Sequence, residues 1–197
     1  MKRILAALLC LLLLTACGGQ REEPVPLEDL PEDYSLEQAK SDGCVVIEDD
    51  DLTSGQDIWN AFVKASESGK AASVRLCQQY TLGDPSRYDP EYYESIKDDY
   101  PLLFFKDVSY DGEQFTSVYC EDGTRYEESY SLLRRFEEPV RSKPAEYAAR
   151  VSYVLTDDAE AAYQQLQAPL YSSIFPPPNY IPFSLLYFIC VSPEADT

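Results

Sequence analysis

The sequence predicts an α+β domain: an antiparallel sheet built on a hairpin meander, covered by helices on one face. Three observations carry this. Two Asp-Gly dipeptides, Asp111-Gly112 and Asp122-Gly123, separate strand-like runs. The stretch Ala72 to Leu82 alternates apolar and polar residues, as a strand with one buried face does. Between Thr53 and Gly69, Ile58, Trp59, Phe62 and Val63 share one helical face able to cover such a sheet.

Ahead of the domain, Lys2 and Arg3 precede an unbroken apolar run from Ile4 to Leu14 and then Thr15-Ala16-Cys17-Gly18-Gly19. This is the layout of an export signal. It resembles the lipobox of bacterial lipoproteins, which implies a signal peptide over residues 1–16, cleavage after Ala16 and a diacylglycerol, with acyl chains such as palmitate, on Cys17. The apolar run is too short for an uncleaved span, which needs about 20 residues. Cys10 follows Leu8 and Leu9 instead of a small residue. The expected setting is the extracytoplasmic face of the cell membrane, with the lipid bilayer as first partner. Residues 17–33 then read as a flexible leader, with Pro24, Pro26 and Pro31 opposing helix and sheet. Residues 34–197 read as a single α+β domain.

Within that domain, Ser35 is placed to cap a helix from Leu36 to Lys40, followed by a buried strand from Cys44 to Ile47. The acidic run Glu48 to Asp51 fails a calcium-loop pattern, with Ser54 where glycine belongs and Asn60 where glutamate belongs. It is expected to be a solvated turn. Thr53 and Gln56 fit a capping box for the Trp59 helix, and Gly69 supplies its stop. After the Ala72 strand, Asp89 and Pro90 start a short helix through Tyr92, Tyr93 and Ile96. Runs from Leu102 to Tyr110, Gln114 to Glu121 and Thr124 to Leu133 form the meander, which the Ala72 strand extends. Pro139 and Pro144 mark a loop, Arg150 to Leu155 a strand, Asp158 to Gln167 a helix and Ile181 to Val191 a final strand.

Composition narrows the chemistry. The formal charge is −19, and loss of Lys2 and Arg3 with the signal takes it to −21. Such a surface repels phosphate backbones, so no nucleic-acid partner is expected. There is no histidine, which removes Ser-His-Asp and Cys-His catalysis and the usual zinc sites. Cys44, Cys77, Cys120 and Cys190 lack metal-ligand spacing. Each sits among apolar or strand-like residues, which favours free buried thiols over disulfides, although export permits the latter. No metal, cofactor or catalytic residue is assigned.

The chain also resembles a family of uncharacterised lipoproteins of Gram-positive bacteria, whose domain has no assigned function. The resemblance rests on Tyr34-Ser35-Leu36-Glu37-Gln38-Ala39, Gly43-Cys44-Val45-Val46, Trp59 with Phe62, Val74-Arg75-Leu76, Tyr80-Thr81, Gly83-Asp84-Pro85 and Tyr110-Asp111-Gly112. It covers Tyr34 to Leu155 and implies no catalytic residues. The Pro-rich stretch and apolar tail after Tyr171 depart from the soluble ending it implies.

One candidate binding surface stands out: Tyr88, Tyr92, Tyr93 and Tyr100 among Asp89, Glu91, Glu94, Asp98 and Asp99. Tyrosines offer amphipathic contact area and carboxylates polar anchors, as for a cationic peptide or a saccharide. The competing reading packs Tyr92, Tyr93 and Ile96 onto the sheet. The expected role is a non-catalytic binding module at the cell surface, with a protein or saccharide partner. The alternative is a carboxylate-based hydrolase acting on cell-envelope or polysaccharide substrates.

Overall fold

The computed structural model describes residues 24–140, 149–171, 173 and 180–192. The expected signal peptide, with Ala16 and Cys17, and the Pro-containing breaks expected at 144 and 175–178 lie outside the described residues.

Ser35 and Gln38 exchange side-chain and backbone hydrogen bonds in a capping box that starts α1 (Leu36–Ser41). β1 (Val45–Glu48) and β2 (Asp51–Ser54) pair as an antiparallel hairpin across Asp49 and Asp50. The acidic run is thus a hairpin tip, and β2 is a strand that the sequence did not announce. Thr53 belongs to β2, where its hydroxyl donates to Glu48, so it does not cap the next helix. That position falls to Gly55, which precedes α2 (Gln56–Glu67) with φ 80°. A Cβ on Gly55 would stand 2.7 Å from the Cys44 carbonyl oxygen and 2.8 Å from Val45 Cα. Glycine is therefore required both for its backbone angle and for the space.

β3 (Ala72–Tyr80) pairs parallel with β1, because the β2–α2 crossover returns the chain in the same direction. Asp89 caps α3 (Pro90–Ile96), accepting from the Glu91 and Tyr92 amides as expected. β4 (Leu102–Tyr110), β5 (Phe115–Glu121) and β6 (Thr124–Tyr130) complete a six-stranded sheet in the order β2-β1-β3-β4-β5-β6. The meander is antiparallel throughout. Its two Asp-Gly turns differ. Asp122 and Gly123 both have positive φ, 48° and 72°, as a tight two-residue turn needs. Asp111 does not; its carboxylate accepts from the Glu113 and Gln114 amides and closes a longer loop.

The run expected from Thr124 to Leu133 breaks at Ser131. Its amide and hydroxyl both donate to the Asp157 carboxylate, at 2.8 and 2.9 Å. The chain then enters a second sheet, β7 (Leu132–Pro139), β8 (Ala149–Thr156) and β9 (Phe183–Val191), in that order. Between β8 and β9 the expected helix is shorter, because the Asp158 carboxylate holds the Glu160 and Ala161 amides in a turn. Only α4 (Tyr163–Gln167) forms.

Trp59 and Phe62 of α2 pack in one core with Val45, Ile47, Val74, Leu76 and Val108 of the six-stranded sheet. Leu155, Leu186 and Tyr187 of the second sheet join the same cluster, so helix and sheet share the cover of this face. On the opposite face, Ala39 and Leu36 of α1 and Tyr34 pack against Val46, Cys77, Leu103 and Phe105. Side chains also join the two sheets. The Gln78 amide donates to the Leu186 carbonyl at 3.0 Å, and the Lys106 ammonium to the Leu185 carbonyl at 2.8 Å. Leu186 is the extra residue of a bulge, since Tyr153 faces Tyr187 and Val154 faces Leu185.

Residues 24–33, expected to be flexible leader, lie against the sheet. Leu27–Asp29 form a 3₁₀ turn with Leu27 buried, and Arg75 donates to the Val25 carbonyl at 2.7 Å. Arg75 is itself held by both carboxylate oxygens of Asp107, its cross-strand neighbour. The four described cysteines are free. Cys44 and Cys77 are buried, and burial pushes the Cys77 thiol up to about 12. Cys120 and Cys190 are half-buried instead.

Trp59 sits edge-on to Tyr153 and Tyr187 at 4.9 and 5.0 Å, fully buried. The Tyr187 hydroxyl is also buried, with no hydrogen-bond partner among the described residues. Ring and hydroxyl should therefore act in opposite senses. Trp59→Ala should cost about 3–5 kcal/mol through the cavity it leaves. Tyr187→Phe should leave stability unchanged or raise it by up to about 1 kcal/mol, since it removes only an unsatisfied group. Urea midpoints at constant slope check both, and a clear loss in Tyr187→Phe would show that the hydroxyl is bonded.

Candidate functional site

A groove of about 860 Å³ opens at the end of the six-stranded sheet where β4 begins. Its position follows from strand register. β3 accompanies β4 along its whole length, from Ala72↔Tyr110 to Tyr80↔Leu102. β5 accompanies it only from Tyr110↔Phe115 to Lys106↔Tyr119. Beyond Tyr119, Cys120 and Glu121 pair with β6 alone. Among the described residues, Leu102 to Phe105 thus lack a ladder partner on the groove side.

Aromatic side chains line the opening. Tyr80 and Phe104 meet edge to face at 5.6 Å, and Tyr119 stacks on Tyr126 at 5.1 Å. On the other face, Tyr34 meets Phe105 edge to face at 5.4 Å, beside Leu27 and Leu30. Phe104 is 50 % exposed, an unusual degree for so large an apolar side chain in mid-sheet. Glu32, Glu121 and Asp122 bring carboxylates to the rim.

Lys106 is the cation of the groove. Its ammonium donates to the Leu185 carbonyl, reaches the Ser184 hydroxyl at 3.5 Å and lies 5.4 Å from the Tyr119 ring centre. Loss of solvation lowers its affinity for the proton below the usual lysine value of 10.5, with the charge of Glu128 opposing that shift. No salt bridge to Lys106 forms among the described residues.

The tyrosines singled out in the sequence lie elsewhere. Tyr88 brings Tyr92 and Tyr93 together, with ring centres at 6.4 and 5.9 Å. Tyr92 is 57 % exposed, whereas Tyr88, Tyr93 and Ile96 are half-buried. Tyr100 is half-buried beside Pro101, which lines the groove. Tyr88, Tyr92 and Tyr93 therefore cluster outside the groove lining, with Tyr92 the exposed member. Sequence reasoning missed Tyr80, Phe104, Lys106 and Tyr119. The signal was the run Leu102-Leu103-Phe104-Phe105, four apolar residues in a strand where alternation would predict two.

Several carboxylates are held below their ordinary range by structural hydrogen bonds. Lys40 and then Thr53 do this for Glu48, the Ser86 amide for Asp84, and the Gln114 and Glu113 amides for Asp111. These shifts oppose the raised value that a general acid needs. No group of three or more Cys, Asp and Glu side chains suited to a metal ion occurs among the described residues. Nor does any helix among them have the length and apolarity to cross a membrane.

Lys106 gives the groove a measurable pH signature. Its lowered folded value means that the unfolded chain holds the proton more strongly, so stability rises with pH between that value and 10.5. Below this window the desolvation penalty is fully present; above it, the penalty is gone. Burial holds Tyr130 and Tyr187 above the ordinary value of 10.0, so stability falls as their unfolded counterparts ionise, and the difference between wild type and Lys106→Met isolates the lysine. Wild type should gain on the variant as pH rises toward 10.5; a pH-independent difference in denaturation midpoints would contradict a desolvated ammonium.

Comparison with family models, with curated proteins and with solved structures returned no match.

Proposed function

We propose that this chain is an exported lipoprotein whose domain binds an extracellular ligand in the β4 groove without catalysis. The observation that carries the binding role is the open, aromatic-lined groove with Phe104 half exposed within it. Pockets of roughly 300–1,000 Å³ with apolar walls and a few placed polar groups are the usual form of a ligand site. The lipoprotein reading rests on Lys2, Arg3, the apolar run to Leu14 and Cys17 behind Ala16. A diacylglycerol supplies two chains, and two anchor stably where one is marginal.

The docked segment from Pro24 adds a consequence. Residues 17–23 alone separate Cys17 from the domain, a reach of at most roughly 25 Å. The ligand would therefore be met close to the membrane surface, at the extracytoplasmic face. A carboxylate-based hydrolase fits less well, because the altered carboxyls are lowered in structural turns.

Two readouts in the native host test the two halves. An alkynyl fatty acid should label wild type and fail to label Cys17→Ala; an unlabelled wild type rejects the anchor. A photo-crosslinking amino acid at Phe104 should trap a specific adduct, while one at exposed Tyr171, away from the groove lining, should not. Identical patterns from both positions would reject the groove as the ligand site.

A further inference from the structure

Sheet edges are normally blunted against unwanted pairing. Here β2 is only four residues long, and β6 is a charged strand, with Arg125 and Glu127 paired at 2.7 Å and Glu128 on its other face. The inner edge at Leu102 to Phe105 is different. It is apolar, it has lost β5 as a partner, and it opens into a space of about 860 Å³. Residues 24–33 lie on one side of this gap without supplying a strand: their backbone hydrogen bonds, Asp29 to Pro26, Leu30 to Leu27 and Tyr34 to Pro31, are local turns.

We propose that Leu102–Phe105 takes an extended basic peptide as an added strand, seated between β4 and the tip of the β5–β6 hairpin. This rests on the reading of the groove as the ligand site and names its occupant. Added strands gain affinity from main-chain hydrogen bonds and specificity from alternate side chains. A four-residue strand spans roughly 13 Å. Its alternate side chains meet Tyr80, Phe104 and Tyr119 on one face of the sheet and Tyr34 and Phe105 on the other. The charge of the occupant follows from the rim, where Glu32, Glu121 and Asp122 stand, and from the formal charge of −19. Lys106 keeps its positive charge while its ammonium donates to the Leu185 carbonyl of β9, so the basic side chains of the occupant belong at the carboxylate rim and the apolar ones beside Lys106.

The test uses the full chain in detergent micelles and a fluorescent peptide alternating Lys and Val. Two comparators separate the contributions: the same peptide N-methylated at its central amides, and one alternating Glu and Val. The Lys–Val peptide should bind saturably and slow alkylation of Cys120, which lines the groove, in a Cys190→Ser background. Both comparators should bind about ten-fold more weakly or worse. Phe104→Ser should weaken binding about as much, with circular dichroism unchanged, since Phe104 is already half exposed. Equal binding by the N-methylated peptide rejects strand addition, and equal binding by the Glu–Val peptide rejects a basic occupant. Failure of every peptide while the Phe104 crosslink persists in cells overturns this inference alone. Failure of both overturns the groove reading with it.

Discussion

The arrangement depends on Trp59 being shared by two sheets. Its indole lies 4.9 Å from Tyr153 of β8 and 5.0 Å from Tyr187 of β9, while Phe62, one turn on, reaches Phe115 of β5 at 6.3 Å. A 12-residue helix could not bury the face of a six-stranded sheet alone. The second sheet supplies the remaining apolar area, and Trp59 is the residue that both surfaces touch. Its position is fixed from below by Gly55, whose lack of a Cβ lets α2 start against the backbone of Cys44 and Val45. Hydrophobic burial and close packing, more than charge, hold this junction.

The groove follows from how the sheets are joined. β9 presents the Leu185 and Leu186 carbonyls to the larger sheet, and Lys106 and Gln78 satisfy them there. Those two side chains stand where the β4–β5 ladder is about to end. Beyond Tyr119 the hairpin tip follows its own Asp122-Gly123 turn, and β4 continues with β3 alone. On the far face, Leu27 is buried near the same place and Arg75 ties the Val25 carbonyl to the Arg75–Asp107 pair. Packing has thus opened the sheet at one end while keeping its backbone edge among aromatic rings.

Local chemistry was readable from the residues, and long-range register was not. Ser35, Asp89 and the Asp122-Gly123 turn act as their sequence context predicts, because each is satisfied by atoms within three residues. Thr53, Ser131 and Asp158 deceive for one reason: a polar side chain that can cap or continue an element also bonds elsewhere. Thr53 turns to Glu48, Ser131 is drawn off line by Asp157 26 residues on, and Asp158 folds back on its own turn. The split into two sheets was hidden in that Ser131 contact. The groove was hidden further, since it depends on where β5 leaves β4. Its trace was the apolar run Leu102 to Phe105, which reads as ordinary strand until the missing neighbour is known. The tyrosines singled out beside acids, Tyr88, Tyr92 and Tyr93, lie in and just before α3, outside the groove lining.

Everything proposed for the groove requires that β4 carry an open edge at Leu102–Phe105. Residue-resolved amide hydrogen exchange in the unliganded protein tests it most directly. Successive amides of a strand point to opposite sides, so two of these four face β3 and two face the groove. The account predicts alternation: two slow amides and two that exchange orders of magnitude faster, followed by uniform protection from Asp107 to Ser109, where β4 has partners on both sides. Uniform slow exchange from Leu102 to Tyr110 would mean that the edge is closed, and would contradict it.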